Sequence, residues 1–183
     1  MPSKSKIERV VEFASRLKGV DPQVLQEGLE IAHLHRQVEQ IIEKDLANWG
    51  LTARQVEILE SLFYKTEGTM TPAELADEVA LSRSAMTSAL DSLEKLGHTM
   101  RAPHPSDRRM IAISLTPSGR EFIGQHLPER YQKLYRIISR ISKDERATLL
   151  QTHAKIIDLV ASGMEANGKR GLGHTDSVPP AAG

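Results

Sequence analysis

Residues 71–119, TPAELADEVALSRSAMTSALDSLEKLGHTMRAPHPSDRRMIAISLTPSG, decide the fold. Thr71-Pro72-Ala73-Glu74 combines an N-cap, a proline at the first helical position and a capping-box glutamate. A short helix is therefore expected over 72–79, with Leu75, Ala76 and Val79 turned inward. After the Ala80-Leu81 turn, Ser82 caps a second helix that runs to Leu96 and stops at Gly97. Ala85, Met86, Ala89, Leu90, Leu93 and Leu96 recur at helical spacing and read as its buried face. Beyond Gly97 the period changes. Residues 99–102 and 110–115 read as strands, and the two prolines, Ser106 and Asp107 between them make a turn.

Two helices on a short turn are a common pairing and say little alone. A hairpin with a charged tip directly after them is the arrangement of a winged helix. Working outward, Thr52-x-x-Gln55 is a capping box, and Val56, Leu59, Leu62 and Phe63 supply the inner face of the preceding helix. Asp21-Pro22 opens a longer helix that runs to about Trp49, closed by Gly50. Its stripe of Val24, Ile31, Leu34, Val38 and Ile41 and its length of about 40 Å suggest packing between subunits. Residues 4–18 form an amphipathic helical extension through Ile7, Val10, Val11, Ala14 and Leu17. Downstream, Thr116-Pro117 starts a helix that Pro128 should bend or interrupt, and Ser142-x-x-Glu145 caps a last one. Leu127, Leu134, Ile137, Ile138 and Ile141, then Leu149, Ile156, Leu159 and Val160, are the apolar positions of the two. The expected organisation is a helical extension (1–20), a dimerisation helix (21–50), a mainly α winged helix-turn-helix with a small β hairpin (51–119), C-terminal dimerisation helices (120–163) and a disordered tail (164–183).

The chain of 183 residues holds no cysteine, which excludes disulfides, thiolate metal sites and a cysteine nucleophile. Lys and Arg number 24 and Asp and Glu also 24, so the net charge is zero with His neutral. Neutrality argues at first against a nucleic-acid partner. The signs are segregated, however. Residues 1–20 carry five bases and two acids, residues 21–80 four bases and twelve acids, and residues 81–183 fifteen bases and ten acids. No run approaches the roughly 20 apolar residues of a bilayer span, and the N-terminus lacks a signal-peptide core, so a cytoplasmic protein with no membrane partner is expected.

In this organisation residues 22–162 resemble the MarR family of bacterial transcriptional regulators. LTARQVEILESL (51–62) resembles the family's helix before the helix-turn-helix, and MTPAELADEVALSRSAMTSALDSLEKLGHTMR (70–101) the helix-turn-helix itself. SDRRMIAISLTPSGREFI (106–123) resembles the wing signature, through Asp107, Arg109, Leu115, Thr116 and Gly119. The resemblance implies a homodimer with interleaved terminal helices, two winged helices facing one duplex, and repression relieved by a small anionic or aromatic ligand. The ligand would bias the spacing of the two recognition helices, a shift of population that requires different affinity for the two states.

The residue chemistry fits a DNA partner. The exposed leading residues of the second helix would be Ser82, Arg83, Ser84, Thr87 and Ser88. Hydroxyls and helix N-terminal amides bond phosphates, and arginine bonds guanine bidentately. N-capping alone also accounts for Ser82. Many family members carry Arg where this chain has Ser88, which shifts weight to the wing. There Arg108 and Arg109 stand at the tip and Arg101 at the base, and a tip arginine suits a narrow minor groove. Asp107 has the wrong sign for DNA, and the resemblance implies that it positions Arg109.

The resemblance places a ligand pocket between the dimer helices and the winged helix, with His33, Arg36, Trp49 and Tyr64 as candidate lining, together with His35. Arg36 suits an anionic ligand or an intersubunit ion pair. His33 and His35 lie about 200° apart on a helix, and no His, Asp or Glu set shows metal spacing, so neither a metal nor another cofactor is expected. No phosphate loop, nucleophile elbow or His-Glu-x-x-His occurs. The competing readings are a winged-helix dimerisation or protein-contact module without ligand sensing or DNA binding, and an enzyme with an unrecognised site.

Overall fold

A computed structural model describes residues 5–66, 68–107 and 109–171. The helices are α1 (Lys6–Ala14), α2 (Pro22–Leu46), α3 (Ala53–Tyr64), α4 (Pro72–Glu78), α5 (Arg83–Lys95), α6 (Pro117–Ile138) and α7 (Lys143–Gly171). A three-residue 3-10 turn, Ala47–Trp49, extends α2, and Gly50 leaves it in the left-handed region at φ +72°. Three strands, β1 (Thr69–Met70), β2 (Thr99–Pro103) and β3 (Ile111–Leu115), form an antiparallel sheet in the order β1-β3-β2. Thr99 pairs with Leu115 and Pro103 with Ile111 across the hairpin, while Met70 pairs with Ile113. The fold is thus mainly helical with a small sheet, as expected. None of the described helices is long and apolar enough to cross a membrane.

The chain divides into two compact units, residues 1–127 and 128–183. In the first, Val56, Ile58, Leu59, Leu62, Leu75, Met86, Leu90, Leu93, Ile113, Ile123 and Leu127 bury against one another. This core fixes α3, α4 and α5 on the sheet, because each contributes apolar side chains at helical spacing to one cluster. The local starts are those expected. Thr52 accepts the Gln55 amide and Gln55 returns to the Thr52 amide at 2.9 Å. Thr71 and Glu74 make the same reciprocal pair. Gln55 is buried at its far end as well, where its amide donates to Ser92 Oγ at 2.9 Å and ties α3 to α5.

Several expectations are corrected. Ala85 is exposed, because it lies at the edge of the buried stripe of Met86, Leu90 and Leu93, about 100° from its centre at 3.6 residues per turn, and Leu96 is 51 % exposed at the C-cap. α1 ends at Ala14, so Leu17 falls in the following turn and is 47 % exposed. β1 was not foreseen. Pro128, expected to bend or interrupt its helix, does not interrupt it, and the helix is continuous from Pro117 to Ile138. Proline there removes one amide donor, and its ring meets the carbonyl four residues back. The boundary between the two units falls at Pro128.

In the second unit, Ser142 and Glu145 form the expected capping box at the start of α7. These bonds hold the Glu145 carboxyl below its usual range. The tail was expected from residue 164, but α7 continues to Gly171. Met164-Glu165-Ala166 are good helix formers and prolong it. Residues 172–183 lie outside the described residues.

Candidate nucleic-acid interface

α4 and α5 meet at a turn closed by two capping devices. Val79 ends α4, Ala80 takes φ +52°, and the Leu81 amide donates to the Ala76 carbonyl at 2.9 Å. This six-to-one closure normally holds glycine at the left-handed position. Ser82 then starts α5 by accepting the Ala85 amide at 3.2 Å. Ser82 Oγ also lies 3.2 Å from Ser84 Oγ.

Arg83, Ser84, Thr87 and Ser88 are all exposed, as the sequence reading requires. Thr87 donates to the Arg83 carbonyl at 3.0 Å and Ser88 to the Ser84 carbonyl at 3.2 Å. Each hydroxyl proton is therefore held by the helix, and the oxygen lone pairs face outward. In this state the two residues are acceptors and suit the exocyclic amines of adenine or cytosine better than phosphate. Arg83 makes no ion pair with any described residue and stands at the first position of α5. Exposed Ala85, which the sequence reading placed in the core, adds a methyl group of the kind that meets thymine. Its place at the edge of the stripe formed by Met86, Leu90 and Leu93 accounts for the exposure.

The wing hairpin is attached to the far end of α5. Arg101 donates to Asp91 Oδ1 at 2.5 Å, and its second nitrogen lies 3.6 Å from Glu94 Oε2. The structure therefore commits Arg101 to two acids of α5, where the sequence reading had it as a DNA contact. At the tip, the Asp107 carboxylate accepts the backbone amide of Arg109 at 2.9 Å, and the Met110 amide donates to the Asp107 carbonyl at 3.0 Å. Asp107 thus holds the Arg109 backbone, and the exposed guanidinium has no ion-pair partner among the described residues. Ser106 and His104 brace the turn from the other side, Oγ to Nδ1 at 3.0 Å. Arg108 lies outside the described residues.

The Leu-Thr-x-x-Gly run has a geometric role that the sequence reading did not supply. Gly97 ends α5 at φ +76°, with the His98 amide donating back to Leu93 and the Gly97 amide to Glu94, both at 2.9 Å. The Thr116 hydroxyl donates to the Gly97 carbonyl at 2.5 Å and accepts the Gly119 amide at 2.9 Å. Ser118 Oγ reaches the same carbonyl at 3.1 Å. The C-terminus of α5 is thereby bonded to the N-terminus of α6. A Cβ on Gly119 would lie 2.0 Å from the His98 carbonyl oxygen, so only glycine permits the approach.

The four candidate ligand residues are not brought together within the chain. His33 and Arg36 line one cleft between α1 and α2. Trp49 packs edge-on against His126 at 4.8 Å, and His126 stacks on Phe122 at 4.3 Å. Tyr64 borders a separate groove with Arg54, Glu57, Glu60 and Glu78, a mostly acidic lining that repels anions. His35 faces Glu39 at 3.5 Å. Among the described residues no group of three or more His, Cys, Asp or Glu side chains is placed to hold a metal ion.

The MarR family sequence model matches residues 51–111, which contain α3, the helix-turn-helix and the wing. The chain is 27 % identical to the HTH-type transcriptional repressor YetL of Bacillus subtilis over 141 residues, which are 77 % of this chain and 84 % of that protein. Residues 51–111 form a MarR-family domain. A MarR variant from Escherichia coli crystallised with operator DNA is 25 % identical, with a TM-score of 0.62, and the match covers 73 % of this chain and 95 % of that one. AbsC, a MarR family regulator from Streptomyces coelicolor, shares the fold with a TM-score of 0.66 at 24 % identity, over 75 % of this chain and 95 % of its own. The curated relatives are transcriptional regulators and not enzymes, and this chain is a DNA-binding regulator of that kind.

Proposed function

We propose that this chain is a homodimeric repressor of a pseudo-palindromic operator, relieved by a small aromatic or anionic ligand. The observation that carries the DNA reading is the polar leading face of α5. Arg83, Ser84, Thr87 and Ser88 stand exposed there, beside a wing whose Arg109 is held by its backbone and not by an ion pair. A helix with this face fits a major groove about 12 Å wide. Dimerisation is supported by the stripe on α2, where Val24, Ile31, Leu34, Val38 and Ile41 are each more than half exposed. α7 adds Leu150, Ile157, Leu159 and Val160, also more than half exposed. Monomers seldom leave apolar helix faces of this kind uncovered. Two copies related by a twofold axis would read half-sites about one helical turn apart.

Light scattering and footprinting on the DNA upstream of the chain's own gene test the proposal together. The expected result is a dimer that protects two symmetric half-sites, with a shallow salt dependence because the acids of residues 21–80 offset the bases of the interface. A monomer, or a salt slope as steep as that of a strongly basic repressor, would overturn it.

A further inference from the structure

α2 carries two apolar faces. The stripe of Ile31, Leu34, Val38 and Ile41 is one. Leu25, Leu29 and Ala32 lie about 180° away at 3.6 residues per turn, on the side where α1 packs and buries Ala14. Between α1 and α2 on this second side is a cleft of about 420 Å3, lined by Ser5, Lys6, Ile7, Val10, Leu29, Ala32, His33 and Arg36. Its volume is in the range of small-ligand sites, which run from about 300 to 1,000 Å3.

The lining has a definite chemistry. Ile7, Val10, Leu29 and Ala32 make an apolar floor. Lys6 and Arg36 also line it, and neither pairs with an acid among the described residues. No Asp or Glu belongs to the lining. The acids of α1 face elsewhere, since Glu8 and Glu12 line another cleft with Val11 and Gln26. Glu8 also closes the capping box, its carboxylate accepting the Ser5 amide at 2.6 Å. An apolar floor under two uncompensated cations recognises an amphipathic organic monoanion, whose hydrocarbon part covers the floor while its carboxylate meets Arg36 and Lys6.

We infer that the α1–α2 cleft is a binding site for an aryl or medium-chain alkyl carboxylate, on the face of α2 opposite the proposed dimer stripe. The inference deepens the proposed ligand response and rests on it only for the effect on DNA. The site is built by the N-terminal extension, so Ile7 and Val10 belong to it together with His33 and Arg36. Trp49 and Tyr64 do not.

Isothermal titration of the full chain with 1-naphthoate and with octanoate tests the site. Saturable binding of one or both carboxylates is expected, at one site per subunit. Arg36→Gln should weaken it about tenfold through loss of a charge-assisted contact. Leu29→Trp, which fills the floor, should abolish it. Failure of both probes to bind the wild-type chain would overturn the site, as would equal binding by both variants. Arg36→Gln lies on an exposed position and should keep the wild-type circular dichroism. Operator retardation with and without the bound probe separates the two claims. Probe binding that depends on Arg36 and Leu29 but leaves operator affinity unchanged supports the site and overturns the ligand response. Operator release that persists in Leu29→Trp places the effector elsewhere and overturns the link between this site and DNA release.

Discussion

His98 and Gly119 are the residues at which α5, the sheet and α6 come closest. The His98 ring lies 4.5 Å from Phe122, and its Nδ1 is buried without a hydrogen-bond partner. Burial holds its pKa below the ordinary value. A histidine whose folded pKa is depressed takes up a proton more readily when unfolded, so protonation favours the unfolded chain. Its neutral form supports the fold fully above about pH 6.5, and that support is lost as the pH falls below this value. His98→Phe keeps the ring contact and removes the titration. Melting temperatures of the variant and the parent should therefore diverge between pH 7 and pH 5, with the variant higher at the acid end. Parallel curves would show that His98 is not the group responsible. Gly119→Ala tests the other side of the contact. With a Cβ only 2.0 Å from the His98 oxygen, α5 and α6 must separate or the Thr116 bonds must break. A loss of about 3 kcal/mol is expected in urea denaturation, within the upper range for overpacking. A loss below about 0.5 kcal/mol, typical of an unconstrained surface site, would contradict this geometry.

Among the elements, the turn between α4 and α5 carries a local conflict. Ala80 occupies the left-handed position of a closure that favours glycine, at a cost of about 1–2 kcal/mol for a residue with a Cβ. Glycine loses more backbone entropy on folding, which returns part of that gain. Ala80→Gly should stabilise the chain by about 0.5–1 kcal/mol without altering the exposed face of α5, and unchanged or lower stability would refute the assignment. The wing supplies a second test, because Arg101 and Arg109 are the same residue type in different settings. Arg101 joins β2 to α5 through Asp91 and Glu94, whereas Arg109 has a free guanidinium among the described residues. Arg101→Met should lower operator affinity and leave the salt slope as it is, since the orientation of the hairpin is lost and no phosphate contact is. Arg109→Ala should reduce the slope by about one, the signature of a lost phosphate contact. Equal slope changes in the two variants would return Arg101 to the DNA contacts.

The same elements show which features sequence can reveal. The boxes at Thr52, Thr71 and Ser142 were legible because donor and acceptor lie three residues apart, and the chemistry is complete within one turn. The winged helix was legible because its hairpin changes the period from helical to alternating. β1 was not, since Thr69-Met70 is too short to show alternation and exists only by pairing with Ser114 and Ile113. The wing signature was visible in its letters, but not that Asp107 would bond an amide while Arg101 took the ion pairs. The lining of the α1–α2 cleft was half visible. His33 and Arg36 stood out as polar groups on an apolar helix, whereas Lys6, Ile7 and Val10 join them only through the packing of α1 on α2.

For the whole molecule, what remains is the surface that the single chain leaves uncovered. The first unit buries a sufficient core without the α2 stripe, because Val56, Ile58, Leu59, Leu62, Leu75, Leu93 and Ile123 are fully buried in it. Substitutions in the stripe should therefore spare the fold and act on association. In a twofold interface each substitution occurs twice and faces itself or its near neighbours. Leu34, 61 % exposed in the single chain, is the position of choice. Leu34→Glu would place two carboxylates in an apolar seam without partners, and an unpaired buried charge costs about 3–5 kcal/mol. A monomer with native circular dichroism is the expected product at micromolar concentration. Its operator affinity should fall much further than any single wing variant's, because a monomer engages one half-site and loses the gain in effective concentration that links two. Light scattering and operator retardation on the same preparation decide the matter. A Leu34→Glu chain that remains a dimer and binds with wild-type affinity would place the subunit contact away from α2.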